Sequence, residues 1–188
     1  MVRGNMEIVK AHTGHVIVGL LLASLSVGTL ATWAVTTHSW PFCGGSNIDG
    51  TFVPMSVQNL TQASDEIVVG SVRSIGPSWK FSTGQVVTNV SVNVSESLKP
   101  QGGSGQTEIL AAGGTIGCYT EKVSTEPTFT KDEQVILFLV NGPQGDYLRV
   151  TGSIQGKYAI SGEYAYAIDA SYGMILLSDL ISEIRQYL

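Results

Sequence analysis

Charge is scarce in this chain. Asp, Glu, Lys and Arg make up 13% of its 188 residues, and ten basic residues face 15 acidic ones for a formal charge of −5. That balance argues against a nucleic-acid partner, because a phosphate backbone is bound by a concentrated basic face. Histidine is confined to His12, His15 and His38. A hydrolase of the acid–base kind needs a nucleophile held beside a base, and beyond residue 38 no imidazole is present to act as one. No G-x-S-x-G elbow or phosphate-loop spacing occurs either. The acidic pairs Asp65 with Glu66 and Asp132 with Glu133 precede apolar runs, as solvated turn residues do. The expectation is a non-enzyme with no catalytic, cofactor-binding or metal-ligating residues.

Apolar residues are plentiful at 43%, enough to offset the entropy of ordering and exclude a disordered chain. Residues 16–35 read VIVGLLLASLSVGTLATWAV without a formal charge. As a helix this run covers about 30 Å, the thickness of a bilayer core. The spacing predicts a transmembrane anchor over 16–37, a cytoplasmic segment over 1–15, a linker over 38–54 and an extracytoplasmic domain over 55–188. The competing reading is a cleaved signal peptide, whose apolar core is usually about 7–15 residues with a small-x-small exit. Residues 36–42, TTHSWPF, offer no convincing exit. Arg3 and Lys10 precede the run and no Lys or Arg follows before Arg73, which places the N-terminus inside, with Trp33 and Trp40 at the outer headgroups. The lipid bilayer is thus the first expected partner of a single-pass protein. His12 and His15 then lie across the membrane from His38, and the three cannot readily share a metal.

Cys43 and Cys118 are the only cysteines. An even count on the outer side suggests one disulfide; two free thiols are the alternative, since no C-x-x-C spacing supports a zinc site. A link across these 75 positions stabilises by roughly 4 kcal/mol in the chain-entropy model.

Between 55 and 64 the apolar positions Val57 and Leu60 fall on one helical face, and 177–188 repeats Leu, Ile and Leu at helical spacing behind Ser178 as a candidate cap. The rest has strand character. Residues 67–75 are rich in branched side chains and contain Gly70, a candidate bulge. Residues 85–98 alternate, with Val86, Thr88, Val90, Val92 and Val94 facing one way and Asn89, Ser91, Asn93 and Ser95 the other. Residues 107–112 form a third strand, and 135–140 (VILFLV) read as a strand covered on both faces. Shorter strands are expected at 147–151, 157–160 and 164–168. Five or more strands with glycine-rich corners indicate a mainly β domain, a small barrel or a sandwich; the long first strands and the mid-strand Gly70 favour an OB-like β-barrel, with a short helix before it and a helix after it.

The order SDEIVVGSV (64–72), VSVNVSESLK (90–99), a glycine-rich strand ending near Cys118, DEQVILFL (132–139) and GKYAI (156–160) resembles a class of secreted prokaryotic β-domains of uncertain function. It is more remotely similar to the netrin-like OB-fold module of tissue inhibitors of metalloproteinases. The resemblance implies a bond between a Cys at the domain start and one in its middle, places that Cys43 and Cys118 would occupy. Those inhibitors carry several disulfides and present an N-terminal Cys amine to the protease metal. Cys43 is not N-terminal unless the chain is cut before it.

Three N-glycosylation acceptor sequences occur, at Asn59, Asn89 and Asn93. All fall on the expected outer side. The sequence therefore points to a membrane-anchored extracytoplasmic interaction protein, a non-catalytic accessory subunit of a membrane or cell-envelope complex. The alternatives are a netrin-like regulator of an extracellular peptidase and a self-associating cell-surface structural protein.

Overall fold

The structure, a computed structural model, describes residues 44–81, 83–99, 105–143, 145–167 and 173–188. They belong to one compact unit, Gly44–Leu188. Its strands are β1 (Gly45–Ile48), β2 (Glu66–Lys80), β3 (Val86–Lys99), β4 (Gln106–Ala112), β5 (Gly114–Ile116), β6 (Tyr119–Val123), β7 (Gln134–Asn141), β8 (Leu148–Val150), β9 (Lys157–Ser161), β10 (Tyr164–Ala167) and β11 (Met174–Leu176). Two helices, α1 (Val57–Ala63) and α2 (Leu177–Gln186), and a 3-10 turn at Ser153–Gly156 complete it.

Strand β7 organises the unit because both of its faces are apolar. Val135, Leu137 and Leu139 enter an inner core with Val68, Val72, Val90, Val92, Ile109 and Val150. Ile136 and Phe138 enter an outer core with Ile67, Leu98, Tyr158, Leu60, Leu180 and Ile184. The backbone pairing explains this division. Eight strands run in the order β11-β10-β9-β7-β2-β3-β4-β8, and β8 also pairs with β7, so β7, β2, β3, β4 and β8 close a ring. All five ring strands supply the inner core. The free edge of β7 is shared: Leu139–Asn141 pair with β8, while Gln134–Leu137 pair with β9. Strands β9, β10 and β11 thereby extend away from the ring, and both helices cover the outer core.

Local chemistry fixes the helix ends. The Ser56 hydroxyl accepts the Asn59 N–H at 3.2 Å and caps α1. At the other end Lys99 Nζ donates to the carbonyl of Thr61 at 3.1 Å and to that of Ser64, placing a cation at the negative end of the helix. Helix α2 buries Leu180 and Ile184, four residues apart. Its N-cap is Leu176, without a side-chain bond; Ser178 is already inside the first turn, so it does not serve as the cap expected from the sequence.

The expected fold class requires correction. No helix among the described residues is long and apolar enough to cross a membrane. The longer of the two, α2, has ten residues and spans about 15 Å, half a bilayer core. The run 16–37, on which the anchor was expected, lies outside the described residues, as does the 1–15 segment. The β part also differs from a lone barrel. The ring is part of an eight-stranded sheet, and a separate three-stranded sheet is built in the order β1-β6-β5. Residues 45–48, expected within a linker, form β1 because they pair in parallel with β6.

Gly70 sits where β2 and β3 slip register. A Cβ there would lie 2.2 Å from the Asn93 carbonyl oxygen, backbone that cannot swing aside, whereas one at Gly76 would meet Asn89 O at 3.3 Å. Gly70→Ala is therefore expected to lose about 1–3 kcal/mol or more in urea denaturation and Gly76→Ala far less. Equal losses would mean that the close approach at Gly70 does not shape the ring.

Candidate functional site

The strand hairpin β2–β3 and the end of β4 run past the ring, and the three-stranded sheet stands opposite them. Between lies a cleft of about 740 Å³, a size suited to a small ligand or a few side chains. Val90 and Ala111 belong to both the inner core and the cleft lining, so the cleft continues the ring interior toward solvent. Ile75, Phe129, Pro127 and Ile154 extend its apolar walls. Gly114, at φ +138°, passes the Ser78 and Thr88 hydroxyls so closely that a Cβ would lie 2.2 Å from each. Thr88 Oγ1 donates to Gly113 O at 2.7 Å and Thr115 N–H donates to Ser78 Oγ at 3.2 Å. The three-stranded sheet is thus tied directly to the β2–β3 hairpin.

Two carboxylates line the cleft with different roles. Glu121 is buried, and its Oε1 accepts the Val86 N–H at 3.0 Å while Oε2 faces Ser46 Oγ at 3.4 Å. It stitches β6 to β3 and β1. Burial pushes the Glu126 carboxyl above its ordinary range, opposed by a hydrogen bond from the Ala112 backbone and by the Arg149 charge. No cation among the described residues lies within ion-pair distance of Glu126.

The loop that carries Glu126 and Phe129 is held from behind by Lys157. This side chain is almost fully buried and reaches Glu133 Oε2 at 2.7 Å and Oε1 at 2.8 Å, with the Thr128 carbonyl at 2.5 Å. The ammonium also stands 4.6 Å from the centre of the Phe129 ring. Burial pushes the Lys157 ammonium below its ordinary range, and Glu133 pulls it back. At the far side of the 3-10 turn, Gln155 accepts the Met55 N–H at 2.8 Å and donates to Val53 O at 3.2 Å, fastening the segment before α1.

The residues singled out by sequence do not converge on this cleft. Cys118 lies in the turn between β5 and β6. Cys43, His12, His15 and His38 lie outside the described residues. Asn59 is exposed on α1 and Asn93 is exposed on β3, whereas Asn89 is half-buried and its amide donates to Glu108 at 2.6 Å. Ser91, expected on a polar face, lies opposite Val90 and Val92 of the inner core as the alternation requires, but is buried. Among the described residues no group of three or more His, Cys, Asp or Glu side chains could hold a metal ion. Sequence reasoning missed Glu126, Glu133 and Lys157; the one available signal was an acidic pair next to an apolar run, which also marks ordinary turns. No protein-family model matches the chain and no curated protein matches it.

Two stability measurements follow from these groups. Glu133→Ala leaves the Lys157 ammonium buried without its counter-charge and is expected to cost about 3–5 kcal/mol, most of it recovered in the double variant Glu133→Gln, Lys157→Met. A double variant as unstable as the single one would refute the pinning role. For Glu126, a raised pKa means that the folded state binds a proton more tightly than the unfolded state. Its burial then costs stability as pH rises from the ordinary carboxylate range through the raised value. Glu126→Gln should match the parent well below the ordinary range and exceed it at neutral pH; a gain that does not grow with pH would contradict the assignment.

Proposed function

We propose that this chain is an extracytoplasmic, non-catalytic binding protein, an accessory subunit of a membrane or cell-envelope complex, and that its partner engages the cleft. The observation that carries the reading is the cleft itself, a continuation of the ring interior walled by a small sheet that serves no other core. Its location outside the cytoplasm is supported by a register. The parallel pairing of β1 and β6 matches Gly45 with Thr120 and Ile48 with Val123, a constant separation of 75 positions, and Cys43 and Cys118 are separated by the same 75. The even cysteine count and this matching separation support a Cys43–Cys118 disulfide over two free thiols. The start of the domain, paired with its middle through β1 and β6, also suits the netrin-like resemblance. Glycans at the exposed Asn59 and Asn93 are part of the same reading.

A second reading, self-association, draws on β11. It forms the edge of the eight-stranded sheet, and Tyr164 opposite Leu176 and Tyr166 opposite Met174 form an exposed apolar strip on β10 and β11.

The full chain, isolated from its native envelope in mild detergent without reductant, should retain a stoichiometric partner of different sequence and a Cys43–Cys118 bond detectable by peptide mass spectrometry. Ile75→Arg, which places a charge in the cleft at an already exposed position, should release the partner. Recovery of copies of the same chain alone would favour self-association, and a bare monomer with reduced cysteines would sink both readings.

A further inference from the structure

The chemistry of the cleft narrows what it can receive. Its lining is mainly apolar, contributed by Ile75, Val90, Ala111, Phe129 and Ile154, so the body of an occupant is apolar. The ionisable lining is unbalanced. Asp49, Glu121 and Glu126 stand against Lys122 alone, and Lys122 is exposed at the rim. Glu121 has its oxygens directed at Val86 and Ser46. Glu126 has one backbone donor, from Ala112, and no cation at ion-pair distance among the described residues. Arg149 acts on it only through the longer-range field. A carboxylate in this setting is under-compensated, and an incoming ammonium would supply the missing charge while its apolar stem covers the cleft floor.

We propose that the cleft binds an apolar group bearing an ammonium, with Glu126 as the counter-ion. This rests on the cleft being the binding site. The group comes from one of two sources of the same chemistry: a free hydrophobic amine, or a lysine side chain or amino terminus of the partner protein. An anionic ligand is disfavoured by the same lining.

The test uses the full chain in detergent and three probes of similar shape: 2-phenylethylamine, 2-phenylethanol and phenylacetate. Binding is followed by the methyl resonances of Val90 and Ile75. The amine is expected to bind at least tenfold more tightly than the alcohol, and phenylacetate least. Glu126→Gln should erase the amine's advantage and leave alcohol binding unchanged, a pattern that loss of fold would not produce. In parallel, loss of the co-isolated partner from Glu126→Gln identifies the partner as the source of the ammonium, and retention of the partner with loss of amine binding identifies a free amine. Equal binding of amine and alcohol, tighter binding of phenylacetate, or amine binding unaffected by Glu126→Gln would overturn the inference. If no probe binds while Ile75→Arg still releases the partner, this inference fails and the function proposed above stands.

Discussion

A buried lysine ties one wall of the cleft to the sheet behind it. Lys157 belongs to β9, in the sheet extension beyond the ring, yet its ammonium grips Glu133, the Thr128 carbonyl and the face of Phe129. Desolvating an ammonium costs several kcal/mol, which only well-placed counter-charges and acceptors offset. Here the carboxylate is bidentate and the remaining proton finds a carbonyl, so the charge is satisfied. The consequence is mechanical: the loop that forms one wall of the cleft is fastened to the rigid sheet rather than left to solvent.

That fastening completes a cleft whose other sides are also held. Its floor is the inner core, which is rigid by close packing. Its opposite wall is the three-stranded sheet, attached through Glu121, Thr88 and Ser78. Each attachment is a polar side chain reaching backbone of another element. The cleft is therefore preformed, which lowers the ordering entropy that binding would otherwise have to overcome. Glu126 differs from these attachments: burial pushes its carboxyl above the ordinary range, opposed by the Ala112 backbone and the Arg149 charge, and no cation among the described residues pairs with it.

Much of the architecture was legible in the sequence because it follows from periodicity. VILFLV over 135–140 could only be a strand buried on both faces, and it became the shared wall of two cores. Leu180 and Ile184 announced a helix packed on one side. Gly70 marked a break in register. The strand β1 was not legible, since Gly-Ser-Asn-Ile reads as a tether and becomes a strand only through β6, about 75 positions away. The shared edge of β7 was equally hidden, because nothing local tells which half pairs with β8 and which with β9. The site residues were obscured for a related reason. Lys157, Glu133 and Glu126 carry charges that a sequence reading assigns to the surface, whereas in the fold Lys157 is buried and the two carboxylates are half-buried. The alternation along β3 holds at Val90 and Val92, which both enter the inner core, but Ser91 between them is buried rather than exposed, because periodicity tells which face a residue takes and not what covers that face.

The central claim is that contact at the cleft, rather than at the outer edge of the extended sheet, is what the domain does. It is tested most directly by a photo-crosslinking residue placed in the full chain within its native envelope, once at Thr128 in the cleft wall and once at Tyr164 on the β10 face. The account predicts a discrete adduct with a different protein, or protection by an amine ligand, at Thr128 and none at Tyr164. Adducts from Tyr164 with Thr128 unreactive would contradict it.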